Sequence, residues 1–408
     1  MEVKKTAVGA LVAAEIVSIL GTRMTYLALP WFVLVTTGSP TKMTLVLAVE
    51  IVPMVLFGIP SGTLVQRLGS RTTMLVADFA RAPLMAAVPV LYALDVLSFP
   101  LLLAVVFALG SFMPPYFASQ RTILPELVGE DERAMSQANS MIEGGAAFAA
   151  LAGPALAGLL IPFIGATNVL YVDAATFVVS FALILFFVPR RKAVTALPDD
   201  ADRGVLAGLR FAMRDSLIRP LGLTVVAAGF LTAGLSAALP YYAFDEFGSP
   251  RIAALFSVAL GSGALVGSVL AMVAVKRVRP LRLAGLAVLA FAAPLWILPL
   301  EPPVAVFFVA LFTATLFTPF VNGPILALIT ARTPEHLRAK TMTALVSVNT
   351  VASPAGFVVA GQMLERWGVV AVFAATAVGM SIMALAFAAI ALRHRDEDVP
   401  VAEAAIAG

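Results

Sequence analysis

Leu27-Ala28-Leu29-Pro30-Trp31-Phe32-Val33-Leu34-Val35-Thr36-Thr37-Gly38-Ser39-Pro40 returns in outline as Ala237-Ala238-Leu239-Pro240-Tyr241-Tyr242-Ala243-Phe244-Asp245-Glu246-Phe247-Gly248-Ser249-Pro250. The Leu-Pro-aromatic triplet and the Gly-Ser-Pro turn both recur 210 positions on, Leu29 to Leu239 and Pro40 to Pro250. Arg67 and Arg277 keep that offset, and looser echoes join Arg133-Ala134 to Arg338-Ala339 and Gly153-Pro154 to Ser353-Pro354. Several matches in one order indicate a duplicated unit, the arrangement in which two parallel repeats enclose a cavity near mid-bilayer.

Each copy is overwhelmingly apolar. Of 408 residues, 61% are hydrophobic and 12% charged, against roughly 25% charged in soluble proteins. So few charges cannot cover a water-facing surface, so most of the chain faces lipid; the mean hydropathy of +0.98 agrees. Cysteine is absent, which excludes disulfides, thiol catalysis and cysteine-bound metal. The two histidines, His336 and His394, fall in polar segments, so a histidine proton relay is excluded too. No Gly-Lys-Ser/Thr phosphate loop or nucleophile–base pair is present, so neither an enzyme nor a cofactor is expected. The pI near 9.3 reads as basic membrane-flanking loops rather than nucleic-acid binding.

Stretches long enough to span, about 20 apolar residues each, predict helices at 8–36, 43–66, 73–94, 98–118, 137–162, 168–188, 219–245, 252–275, 281–299, 303–330, 341–363 and 369–391. The expected fold is all-α, with 12 transmembrane helices in two pseudo-symmetric six-helix bundles. The expected divisions are 1–188, a linker 189–218 with an amphipathic surface helix suited to anionic lipid headgroups, 219–392, and a tail 393–408. The apolar start is too long for a cleavable signal peptide. With the N-terminus inside, the 27 Lys and Arg divide into 22 on inner segments, 3 outside (Lys42, Arg251, Arg366) and 2 within the membrane (Arg23, Arg81). That asymmetry places both termini in the cytoplasm of a multi-pass inner-membrane protein. No large soluble insertion demands a partner subunit, so a monomer suffices.

After the second span comes Gly62-Thr63-Leu64-Val65-Gln66-Arg67-Leu68-Gly69-Ser70-Arg71. This resembles the loop 2–3 signature of the major facilitator superfamily, with Gln66 standing where the family has Asp. Gly153-Pro154-Ala155-Leu156-Ala157-Gly158 resembles the Gly-Pro motif of antiporters, its last glycine displaced by one. Leu29-Pro30-Trp31, the run Arg121 to Leu127, Asn139 and Asp173 are similar to the branch of macrolide and tetracycline efflux pumps and the enterobactin exporter. The Arg-containing fourth-helix motif of many drug–proton antiporters is missing. The resemblance implies a secondary transporter in which Gly62, Gln66, Arg67, Gly69 and Arg71 form a gate and Gly153, Pro154 and Gly158 control leak. With Gln66 neutral, one charge of that gate is lost. Independently, Gly153 and Pro154 read equally as a packing notch and a kink.

Seven charges fall inside predicted spans: Glu15, Arg23, Glu50, Asp78, Arg81, Glu143 and Asp173. A charge at mid-bilayer costs about 2.5–3.5 kcal/mol on insertion scales and needs a partner or a wet cavity. All seven are in the first repeat, so that half is expected to handle protons while the second supplies an apolar wall. Asp78 and Arg81 share a helical face and read either as a structural ion pair or as part of the coupling. Arg23 and Glu50 lie at similar depth and are expected to pair, with Glu50 the first coupling candidate and Glu15, Glu143 and Asp78 next. Asp173, near an outer end, reads as a packing or gate residue. Tyr26, Trp31, Phe112, Met113, Tyr116, Phe230, Tyr241, Asn322 and Asn349 are the candidate cavity lining, aromatics with a few amides suiting a bulky apolar ligand.

The leading functional expectation is a proton-coupled exporter of hydrophobic or amphipathic small molecules such as drugs. A dedicated exporter of a siderophore or another native product is the alternative. A nutrient facilitator or importer, or a non-transporting membrane receptor, stands further off. Small-molecule substrate, protons and the bilayer are the expected partners.

Overall fold

A computed structural model describes residues 2–128, 132–190, 201–274 and 280–393. The linker residues 191–200, Lys276, Arg277 and Arg279, and the tail from His394 onward lie outside the described residues.

Every described element is helical. α1 is Glu2–Thr37, α2 Pro40–Leu68, α3 Ser70–Ala93, α4 Phe99–Ser111, α5 Met113–Val128, α6 Glu132–Ile164 and α7 Ala166–Phe187. α8, Ala201–Arg214, precedes α9 at Ile218–Asp245, α10 at Pro250–Ala274 and α11 at Pro280–Ala292, which continues as a 3₁₀ stretch to Leu300. α12 is Val304–Leu316, α13 Thr318–Arg332 and α14 Glu335–Arg393. Eleven helical segments are long and apolar enough to cross a membrane. The last has 52 residues, about 78 Å at 1.5 Å per residue, far beyond a ~30 Å hydrocarbon core. Gly368, with φ 74° and ψ 179°, breaks α14, so this segment is long enough for two passes, which gives twelve among the described residues.

The repeated sequence makes repeated structure. Gly38 and Gly248 both take positive φ, 64° and 56°, a conformation glycine adopts without steric cost. Ser39 then caps α2, its side chain accepting the Lys42 N–H, and Pro40 and Pro250 open the next helices, where no donor is needed. The spans expected at 98–118 and 303–330 are each broken, at Phe112 and Phe317. These two residues have nearly identical dihedrals, φ −88°, ψ −11° and φ −86°, ψ −9°. Pro114-Pro115 and Pro319 follow; they withhold the N–H groups that a continuous helix requires.

Two compact units divide the chain: Met1–Pro198 with Glu246–Ala254, and Asp199–Asp245 with Leu255–Gly408. In the first, α1 packs on α6 and α7, α3 on α5 and α7, and α2 on α4 and α5. Its core joins Leu11, Met74, Tyr116, Ile123, Leu124 and Ile184, with Phe112 packed at the edge. In the second, α9 packs along α14, and Tyr242, Phe256, Phe307 and Phe373 form an aromatic centre with ring centroids 4.6–6.1 Å apart.

α8 is not simply a lipid-facing surface helix. A Cβ at Gly208 would run into the backbone of Lys340 and Thr341, and Ala212 is buried, so its apolar face docks on α14. Past it, Asp215 Oδ1 accepts the N–H groups of Leu217 and Ile218, both at 2.9 Å, and its two oxygens share the Arg332 Nε–H at 3.2 Å each. One carboxylate thus caps α9 and ties it to α13.

Candidate functional site

Helical spacing builds a polar seam through the first unit. On α1, Glu15, Thr22 and Thr25 share a face; on α7, Asp173, Phe177 and Ser180 do; Asp78 and Arg81 add three-residue spacing on α3. Glu15, Asp78 and Asp173 are fully buried and Arg81 nearly so.

The seam has two levels. At one, Ser180 Oγ donates to Asp78 Oδ2 at 2.6 Å. Glu15 and Asp78 both face Tyr116, whose buried hydroxyl lies beside Ser180 without a hydrogen bond of good geometry among the described residues. Neither oxygen of Glu15 makes a hydrogen bond of good geometry, although Gln120 faces it. At the other level, Thr25 Oγ1 donates to Asp173 Oδ2 at 2.6 Å, and Thr176 Oγ1, donating to the Asp173 carbonyl at 2.7 Å, lies 3.1 Å from Oδ1. Glu50, Asp173, Arg81, Thr22 and Thr25 line a small cavity there, about 20 Å³, enough for one water. Arg81 joins the levels. Its Nη1 lies 4.0 Å from Asp78 Oδ1 and its Nη2 donates to Thr22 Oγ1 at 3.3 Å. Its guanidinium sits 4.0 Å above the Phe177 ring and 5.6 Å from that of Tyr116.

Several expectations change here. Arg23 does not pair with Glu50; it lies over Tyr26 at 5.4 Å, and the cation that Glu50 shares a cavity with is Arg81. Depth alone had matched Arg23 to Glu50, whereas helix rotation turns Arg23 towards the α6 side, its Cβ filling the notch at Gly153. Asp173 is not at a helix margin but inside the seam. Glu143 is exposed on α6, apart from it.

The motif residues divide similarly. Gly69 takes φ 82°, ψ 146° and makes the turn from α2 to α3. Gln66 and Arg67 are exposed, and a Cβ at Gly62 would meet nothing within 4 Å. Arg71 Nε donates to the carbonyl of Val188 at 2.6 Å and Nη2 to that of Leu185 at 2.8 Å, closing the end of α7. Pro154 leaves α6 continuous. A Cβ at Gly158 would overlap Ala254, within the same unit.

The second unit holds a cavity of about 360 Å³ among α9–α14. Asn322 and Asn349 line it, together with Thr224, Thr232 and Thr315. Met113 lines the small cavity of the first unit. The other expected lining residues are elsewhere: Trp31 and Tyr116 are core, Tyr26 is exposed, and Phe230 presents its carbonyl to Gly356 of α14. Tyr241 is flanked by Asp245 and Glu365. The threonines were missed because apolar-helix threonines carry no signal of which face they occupy.

The Major Facilitator Superfamily profile matches residues 11–356 and 221–406. The chain belongs to this superfamily. It is therefore a multi-pass membrane transporter and not an enzyme. Among its relatives, multidrug efflux pump Tap of Mycolicibacterium fortuitum is 28% identical over 379 residues, covering 89% of this chain and 90% of that one. Its namesake in Mycobacterium tuberculosis strain H37Rv is 26% identical over 377 residues, 89% and 88% covered. Among solved structures, the nucleoside transporter NupG superposes with TM-score 0.76 at 15% identity, covering 96% of this chain and 99% of that one. A bacterial homologue of the lysosomal transporter Spinster gives 0.75 at 14% identity, covering 97% and 98%. These two share the major facilitator fold.

Proposed function

We propose that this transporter is a proton-coupled exporter of hydrophobic or amphipathic small molecules. The carrying observation is a seam of three buried carboxyls, Glu15, Asp78 and Asp173, with the half-buried Glu50 beside them, whose only ion pair among the described residues is Asp78–Arg81 at 4.0 Å. Four carboxyls around one arginine leave negative charge without a cation. Buried charge without a partner is prohibitively costly, so protons are the natural counter-charge, taken up and released as the seam opens and closes to water. Within the seam, Asp78 and Asp173 are held by hydroxyl donors, while Glu50 and Glu15 are not. That difference favours Glu50 and Glu15 as the coupling groups and Arg81 as the shared counter-ion.

Export of drugs is supported by the efflux-pump names of the relatives. The charge asymmetry of the loops supports both termini in the cytoplasm of a bacterial inner membrane, with six helices in each half joined through the 189–218 linker and the whole working as a monomer. Gly62, Gln66, Arg67 and Gly69 remain gate residues in this reading, and Gly153, Pro154 and Gly158 a packing seam that resists leak.

Accumulation of the neutral dye N-phenyl-1-naphthylamine in cells with and without a proton uncoupler tests this. Expression should lower accumulation, the uncoupler should restore it, and Glu50→Gln should behave as uncoupled wild type. Export that ignores the uncoupler would sink the proposal.

A further inference from the structure

The cavity in the second unit differs in chemistry from the small one in the seam. It is lined only by neutral side chains. Its floor is apolar and comes from helices α11 and α14: Phe291, Met380, Met383 and Phe387. Methionine side chains re-pack around different shapes. Its volume of about 360 Å³ lies within the range of small-molecule sites.

Part of the polar side of this cavity presents acceptors, beside Ser236, Thr318 and Asn322. Thr224, Thr232 and Thr315 have already donated their hydroxyl protons, to the carbonyls of Leu221 at 2.7 Å, Ala228 at 2.8 Å and Leu311 at 2.9 Å. A hydroxyl so engaged presents only lone pairs to a ligand. Asn349 Oδ1 is buried without a hydrogen-bond partner among the described residues. The absence of a side chain at Gly229 makes room for it, since a Cβ there would overlap Oδ1. A buried acceptor left open is a place where a donor gains.

We propose that this cavity is a ligand site contained within the second bundle, and that it takes uncharged, largely apolar molecules bearing an N–H or O–H donor. The ligand turns the Asn349 amide away from Gly229, so that its donor meets Oδ1, and its apolar body rests on Phe291, Met380, Met383 and Phe387. Neither an anion nor a permanent cation finds a counter-charge in the lining. The inference rests on the export reading in taking this ligand as the cargo; binding itself does not require it.

The chain contains no cysteine, so a single introduced thiol reports on the cavity. The full-length protein in lipid nanodiscs, carrying Met383→Cys, is alkylated with a membrane-permeant maleimide. The probes are N-phenyl-1-naphthylamine, a neutral three-ring amine with one N–H, and its N-methyl derivative, which has none. The amine should slow alkylation of Met383→Cys while leaving Leu286→Cys, an exposed site on α11, unchanged. The N-methyl compound should need roughly five- to tenfold more for the same protection, the worth of one hydrogen bond. Asn349→Leu should erase that difference between the two probes. Met380→Cys repeats the measurement if Met383→Cys fails to fold. Equal rates with and without the amine at both positions, or no alkylation at either, overturn the proposal. No proton gradient is present in nanodiscs, so a failed coupling experiment in cells leaves this result standing, and the reverse also holds.

Discussion

Asp78 Oδ1 and Arg81 Nη1 stand 4.0 Å apart on one face of α3, and that oxygen has no hydrogen-bond partner. The arginine is therefore shared and not spent: its other nitrogen reaches Thr22, and the same side chain lines the cavity of Glu50 and Asp173. Arg81→Met should cost about 3–5 kcal/mol, because it strands buried carboxyls. The double variant Arg81→Met with Asp78→Asn should recover a large part of that loss. Thermal melts of the four proteins in one detergent measure the cycle; a double variant no more stable than Arg81→Met would remove Asp78 as its main partner.

Asp215 lies outside the membrane spans and has a pH dependence of definite sign. Burial acts to raise its pKa, but the N–H groups of Ile218 and Leu217, and then Arg332, outweigh it and hold the carboxyl below its ordinary range. A depressed folded-state pKa means a contribution that is complete above the unfolded value, about 3.9. It is lost as pH falls through the folded value. Asp215→Ala should cost about 1–2 kcal/mol at neutral pH through the lost cap. The gap between wild type and variant in melting experiments should hold from pH 7 to pH 5 and narrow below pH 4.

Arg71 offers a separate test of a residue that the family resemblance assigns to a gate. Here it donates twice to the last carbonyls of α7, groups that a helix end leaves open. Arg71→Ala should lower stability by about 1–2 kcal/mol, and Arg71→Lys should recover only part, since an ammonium cannot reproduce the two-pronged donation. Chemical denaturation of α7 followed by a fluorophore near Val188 would check this; an unchanged midpoint for Arg71→Ala would return the residue to a purely gating role.

How much was legible follows from what each kind of signal contains. The Gly-Ser-Pro pair was read directly, because positive φ at Gly38 and Gly248 is a local demand that glycine alone meets cheaply. The passes were counted from apolar length and loop charge, which the bilayer imposes residue by residue. The breaks at Phe112 and Phe317 were not read, although Pro114 and Pro319 were visible, because a proline states that a donor is missing without stating where the helix yields. The partners of Asp173 were hidden for another reason. Thr25 and Gly21 sit on α1, and the rotation that brings them together is set by packing, which distance from a helix end cannot supply. Arg23 and Glu50 failed to pair on the same account.

Gly153 separates packing from bending in the antiporter-like motif. A Cβ there would collide with Arg23 Cβ and the α1 backbone, and overpacking of this kind costs about 1–3 kcal/mol. Gly153→Ala should therefore destabilise the first bundle, whereas Gly58→Ala, where nothing lies within 4 Å, should be neutral or slightly stabilising. If proton leak rises in Gly153→Ala vesicles in step with the loss of stability, the motif acts through this contact; leak with unchanged stability would assign it to the bend at Pro154.

The seam makes its own division between carboxyls that anchor and carboxyls that are free to exchange protons. Asp173 accepts the Thr25 hydroxyl, has Thr176 Oγ1 beside it and packs under Gly21, where a Cβ would overlap its Oδ1. Asp173→Asn should lose about 1–3 kcal/mol of stability, because a donor replaces an acceptor opposite Thr25 or Thr176. Export by the folded fraction should remain sensitive to the uncoupler. Glu50→Gln and Glu15→Gln remove groups with no hydroxyl donor, so their melting temperatures should stay near wild type while gradient-driven accumulation of dye in inverted vesicles disappears. The ratio of export lost to stability lost is the quantity to compare. A higher ratio for Asp173→Asn than for Glu50→Gln would reverse the assignment and make the anchored carboxyl the proton carrier.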